Sequence, residues 1–154
     1  MGSTTVALVL FFAAIATDLL DGYLARIWQQ TSPFGGLLDH GSDAIFVTIT
    51  LAVLAQQQYI TWLLPPLVIL SFLQYAIDSK ALLGHPLRAS QLGRYNGVAY
   101  FVLAGFPITQ EGLSFNPIPY SWVEWLSWLL VVSTLASMAN RLIAFIILKR
   151  EKRR

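Results

Sequence analysis

The stretch Asp18-Leu19-Leu20-Asp21-Gly22-Tyr23-Leu24-Ala25-Arg26, followed by eight residues to Gly35, three to Asp39 and three to Asp43, decides the reading of this chain. Asp18 and Asp21 stand at i, i+3 and Asp39 and Asp43 at i, i+4, so on helices each pair projects from one face, a turn apart. Both pairs sit at the ends of apolar segments. An Asp at the centre of a membrane helix costs about 2.5–3.5 kcal/mol, less near the interface, so the cluster needs compensation. Arg26 alone leaves it at minus three. Two facing pairs make a cation site. An all-oxygen donor set, with no cysteine in the chain and only His40 nearby, favours a hard ion such as Mg2+ or Mn2+, and the charge accommodates two.

Composition points the same way. The 154 residues are 56% hydrophobic and only 12% charged, with a mean hydropathy of +0.61. Ordinary soluble domains carry about 25% charged residues, so residues 1–154 are expected to form one all-α membrane domain. Without cysteine there is no disulfide and no thiolate metal site, and the redox compartment cannot be read.

Five membrane helices are expected. The first runs from Thr5 to Leu24, long enough for a hydrocarbon core of about 30 Å. A secretory signal peptide is the rival reading of Val6 to Ala16, but no Lys or Arg precedes it and the apolar run continues into the Asp motif. Trp28 to Gly36 is a Pro- and Gly-containing connection that brings the two Asp pairs together. A second helix is expected from Leu37 to Ala55, with Gln56, Gln57, Gln58 and Tyr59 marking the far interface. The third is expected from Ile60 to Ser79, kinked by Pro65-Pro66, with Trp62 as an interfacial anchor. Lys80 to Arg94 reads as a basic loop, and the fourth helix as Tyr95 to Ile108, with an entry as early as Gln91 left open. Thr109 to Pro119 carries Glu111 but no basic residue. The last helix runs from Ser121 through Trp122, Trp125 and Trp128 to Leu148, before the basic tail 149–154.

If five helices alternate, Arg26, the Lys80 to Arg94 loop and the tail share one side. The positive-inside rule makes that side, with the Asp site, cytoplasmic. The tail then adjoins anionic head groups. Nucleic-acid binding is a poor account of a short basic run beside a membrane helix.

The pattern Asp-x2-Asp-Gly-x2-Ala-Arg-x8-Gly-x3-Asp-x3-Asp resembles the signature of the CDP-alcohol phosphotransferase family, membrane enzymes that make phospholipids from a CDP-linked donor and an alcohol acceptor. All eight signature positions are present: Asp18, Asp21, Gly22, Ala25, Arg26, Gly35, Asp39 and Asp43. The resemblance implies that Asp18, Asp21 and Asp39 ligate metal, and that Asp43 is the catalytic base while helping to hold the ions. It also implies that Gly22, Ala25, Arg26 and Gly35 serve the CDP donor. Gly22, Ala25 and Gly35 equally suit close helix packing, and Arg26 equally suits interfacial anchoring. A structural charge network among the carboxylates and basic residues is the plain alternative to a metal site.

For the acceptor, Lys80, Arg88 and Arg94 can bind a phosphate, as in glycerol 3-phosphate or inositol phosphate, or can simply be positive-inside residues. Arg141 lies about two turns before the basic tail, deep enough to face a polar cavity or to snorkel. His40 and His85 carry no specific signal. The resemblance further implies homodimers among membrane lipids and a helix ahead of the signature helix, so the chain reads as N-terminally truncated.

The expected activity is metal-dependent transfer of a phosphatidyl group from CDP-diacylglycerol or another CDP-alcohol to a polar acceptor, releasing CMP, with phosphatidylglycerol phosphate the first expectation among products. Rival readings are a cation transporter that uses intramembrane carboxylates and an inactive family remnant.

Overall fold

The computed structural model describes residues 2–27, 32–79, 90–113 and 119–151. Its elements are α1 Gly2–Ile27, α2 Pro33–Gln56, α3 Leu64–Asp78, α4 Gln91–Gly112 and α5 Tyr120–Glu151. The expected polytopic helical bundle is what forms.

α5 shows why. Its buried residues Val123, Ser127, Leu130, Val131, Thr134 and Ser137 recur every three or four positions, so one face turns inward. That face is half hydroxyl. The opposite face carries Trp122 and Trp125, 70% and 76% exposed, with Leu129 and Val132. Polar groups inside and large apolar groups outside suit a lipid surround, where interior hydroxyls join helices by hydrogen bonds. Tyr100 and Thr134 hydroxyls meet at 2.5 Å, and Ser133 Oγ donates to Asn96 Oδ1 at 2.6 Å, joining α4 to α5.

Among the described residues, three helices are long and apolar enough to cross a membrane, through Thr5–Leu24, Phe34–Gln56 and Tyr120–Ile146. α3 is shorter, with 15 residues. The expectation of a proline-kinked helix from Ile60 is corrected here. Pro65 and Pro66 lie in the first turn of α3, where backbone N–H groups have no intrahelical partner and proline costs nothing. They start the helix rather than bend it.

Two other boundaries move. α2 begins at Pro33, because Ser32 caps it by accepting from the Gly35 N–H at 2.9 Å; Gly35 and Gly36 are therefore helical. α4 begins at Gln91, where Ser90 accepts from the Gly93 N–H at 3.0 Å, and runs on through Pro107 to Gly112. α2 ends at a connection in which Gln58 takes a left-handed φ of 64° and the Tyr59 N–H reaches the Leu54 carbonyl at 3.0 Å.

α2, α3, α5 and α4 pack in that order into a ring, and α1 lies outside it against α4. Leu51, Leu64 and Leu103 are fully buried in the core of the ring. Among the described residues the backbones of α1 and α2 do not pack on each other, although these two helices carry all four signature aspartates.

Candidate active site

A cavity of about 500 Å³ opens within the ring. α2 lines it with His40 and Asp43, α3 with Ser71 and Tyr75, α4 with Ser90, Gly93, Arg94 and Gly97, and α5 with Arg141. Gly93 and Gly97 follow each other by one turn, so α4 presents bare backbone to the cavity. Beside Gly97 the space is open: a Cβ there would meet no atom within 4 Å.

Of the four aspartates only Asp43 lines this cavity. The others form a cluster on its α1 side. Asp18 and Asp39 lie within hydrogen-bonding reach of each other, Asp21 is in charge range of Asp18, and Asp43 is in charge range of both Asp18 and Asp39. Asp18 and Asp43 are half-buried, while Asp21 and Asp39 are exposed. Asp43 thus stands where the carboxylate cluster meets the cavity.

Two carboxylates in hydrogen-bonding reach repel each other, and a cation between them relieves that repulsion. The donor set is all oxygen, which fits a hard divalent ion. Among the described residues, no group of three or more acidic or histidine side chains is closed tightly enough to hold an ion. The site therefore consists of an Asp18–Asp39 pair with Asp21 and Asp43 flanking it.

The cavity's arginines come from α4 and α5. Arg141 Nη2 donates to Ser71 Oγ at 2.7 Å, its guanidinium carbon lies 5.8 Å from the centre of the Tyr75 ring, and its Nε is buried without a partner. Asp78 lies in charge range. Of the residues expected at the acceptor, Arg94 does line the cavity. Lys80 and Arg88 lie outside the described residues, as do Trp28, His85, the tail residues 152–154 and the side chains of Ala25, Arg26, Lys149 and Arg150. Gly35 serves the Ser32 cap, and Gly22 is half-buried one residue from Asp21.

Ser71, Tyr75 and His40 are among the cavity residues that sequence reasoning did not single out. Ser71 and Tyr75 looked like ordinary members of an apolar helix, and their i, i+4 spacing was the available signal. His40 carried none by itself, yet it enters the cavity with its ring 6.4 Å from that of Tyr75. Arg141 was legible as a charge deep in an apolar helix, and of its two sequence readings the cavity-facing one holds.

The family model for CDP-alcohol phosphatidyltransferase matches residues 1–149. The chain belongs to this family. It is 33% identical over 115 residues to a protein of Cereibacter sphaeroides named CDP-diacylglycerol--glycerol-3-phosphate 3-phosphatidyltransferase, which is 70% of this chain and 51% of that protein. Proteins of the same name from Haemophilus influenzae and Yersinia enterocolitica are 40% identical over 68 residues and 41% over 61. Those matches cover 44% and 40% of this chain, and 37% and 34% of the relatives. The chain thus matches about half or less of the length of these curated CDP-alcohol phosphatidyltransferase relatives. No solved structure matches it.

Proposed function

We propose that this chain transfers a phosphatidyl group from CDP-diacylglycerol to the hydroxyl of glycerol 3-phosphate, releasing CMP, in phospholipid biosynthesis. The observation that carries the reading is the position of Asp43, with a carboxylate cluster on one side and a cavity containing Arg94 and Arg141 on the other. One side suits a metal-bound pyrophosphate donor, and the other suits an anionic acceptor.

The acceptor enters the cavity with its phosphate toward Arg94 and Arg141, guanidinium groups that bind phosphate oxygens by charge-assisted hydrogen bonds. Its hydroxyl is thereby directed at Asp43. The hydroxyl oxygen attacks the phosphorus that carries diacylglycerol, and the bond from that phosphorus to the bridging pyrophosphate oxygen breaks. CMP leaves with the bridging oxygen. The hydroxyl proton passes to Asp43, general-base work that contributes about 10²- to 10⁴-fold in rate. Asp18, Asp21, Asp39 and Asp43 would hold divalent ions, Mg2+ or Mn2+, which when bound would neutralise charge on the pyrophosphate and on CMP. The positive-inside reading puts this end of the bundle at the cytoplasmic interface, where lipid tails stay in the bilayer while cytidine and acceptor reach water.

The test is CMP release by the chain in lipid nanodiscs with CDP-diacylglycerol, a divalent metal and a panel of acceptors: glycerol 3-phosphate, inositol phosphate, inositol and serine. Release with glycerol 3-phosphate that Asp43→Asn abolishes supports the reading. Release with an unphosphorylated acceptor alone overturns the acceptor assignment, and no release with any acceptor overturns the activity of the chain.

A further inference from the structure

Phe11 is the only residue of α1 that is buried among those described, at 5% exposure. Its ring stacks on Phe46 of α2 at 5.9 Å, and Phe46 stacks in turn on Phe101 of α4 at 6.3 Å. On its other side Phe11 presses on the backbone of α4. A Cβ at Gly105 would lie 2.6 Å from Phe11 Cε1 and 2.8 Å from Cζ, distances that no side chain tolerates without movement.

The register of these rings against the carboxylates is the informative part. Phe11 precedes Asp18 by seven residues, and Phe46 follows Asp39 by seven. Seven residues are two turns, about 10.5 Å along the axis with only about 20° of drift around it. So Phe11 shares a face of α1 with Asp18, and Phe46 shares a face of α2 with Asp39. Since α1 runs toward the carboxylate end and α2 away from it, the two pairs form rungs at matching depths on the same two helices. One rung is Phe11 on Phe46, and the other is Asp18 beside Asp39. The backbones of α1 and α2 do not pack on each other, so the ring rung links them directly while α4 braces it from behind.

We propose that Phe11, clamped between Phe46 and Gly105, is a positioning residue that sets the gap between the two halves of the carboxylate site. The thickness of the stacked rings fixes how far α1 stands from α2, and two turns away this becomes the separation of Asp18 and Asp21 from Asp39 and Asp43. The consequence for metal affinity rests on the function proposed above; the spacing itself does not.

The chain has no cysteine, which makes the spacing directly measurable. Cysteines at exposed Leu20 and Leu38 carry spin labels on the carboxylate ends of α1 and α2. Mn2+ binding is followed separately on unlabelled protein by its paramagnetic signal. Gly105→Ala is expected to lengthen the label distance and to weaken Mn2+ binding by ~10- to 100-fold, the usual cost of disturbing groups that orient metal ligands. Phe11→Leu is expected to change the distance as well, and the double variant to bring distance and affinity back toward wild type, because the smaller side chain makes room for the added methyl. Leu130→Ala serves as the stability control, since α5 does not pack on α1: it is expected to lower the melting temperature and leave both readouts unchanged. A label distance that stays constant in Gly105→Ala and Phe11→Leu overturns the proposal, as does an altered distance with unaltered Mn2+ affinity. A wild type that binds no Mn2+ refutes the metal reading instead, and the label distances then decide the spacer.

Discussion

Arg141 on α5 donates to Ser71 on α3 at 2.7 Å, and that bond ties the two helices together across the wall of the cavity. It uses one of the five guanidinium donors. The buried Nε has no partner, so the group has capacity left for an anion in the cavity. An Arg committed wholly to structure would be satisfied by its neighbours.

Arg141→Gln is therefore expected to raise KM for glycerol 3-phosphate. A hydrogen bond to a charged group contributes about 1.5–3 kcal/mol, which corresponds to roughly 10- to 100-fold. Arg141→Lys should recover only part of this, because an ammonium lacks the planar fork. The check is an acceptor titration run beside glycerol, whose slow turnover the substitution should leave nearly unchanged.

Asp43→Asn is expected to reduce CMP release about 10²- to 10⁴-fold. The amide has a similar shape but does not accept the proton. Single-turnover measurements with saturating donor and acceptor separate this loss from weakened binding.

Chelation should abolish CMP release, and Mg2+ or Mn2+ should restore it. Asp39→Asn is expected to move the metal titration to higher concentration, since it removes one half of the Asp18–Asp39 pair. Equal activity in chelator and in metal would count against the reading of the cluster.

Gly97→Leu is expected to leave the melting temperature nearly unchanged, because a Cβ at that position meets nothing within 4 Å. The larger side chain would instead occupy the cavity. Its cost should fall on acceptor kcat/KM, and more heavily for bulkier acceptors, which a comparison of glycerol 3-phosphate with inositol phosphate measures.

At the other end of the bundle, Tyr59 donates its hydroxyl proton to Glu111 and stacks on Tyr120 at 4.5 Å. The hydrogen bond to Glu111, with desolvation and the nearby negative charge, pushes the Tyr59 phenol above the ordinary tyrosine range. The native state therefore holds this proton more tightly than the unfolded chain. The stabilisation is full below the unfolded value of about 10 and is lost as pH rises through the native one. A tyrosinate difference spectrum between wild type and Tyr59→Phe should show late ionisation, and Glu111→Gln should bring it earlier.

Much of this molecule was legible in one dimension. Apolar length and sparse charge specified a helical membrane bundle, and the spacing of Asp18, Asp21, Asp39 and Asp43 marked the family. Helix boundaries were less legible where one residue type has two uses. Pro65 breaks a helix interior but starts a helix equally well, and Gly35 reads as loop until Ser32 is seen to cap the turn around it. For Gly35 a hydrogen bond spanning three residues decided the outcome, and for Pro65 its place in the first turn of α3 did.

What the sequence by itself determined is chemistry and its order along the chain: four carboxylates on two membrane helices and an arginine deep in a third. Tertiary structure alone decided which of these meet. Asp43 rather than Asp39 faces the cavity, Arg141 turns inward to Ser71, and Phe11 comes to lie between Phe46 and Gly105. The physical reason is that periodicity fixes the direction of a side chain relative to its own helix axis, whereas the neighbour that it meets depends on how whole helices pack.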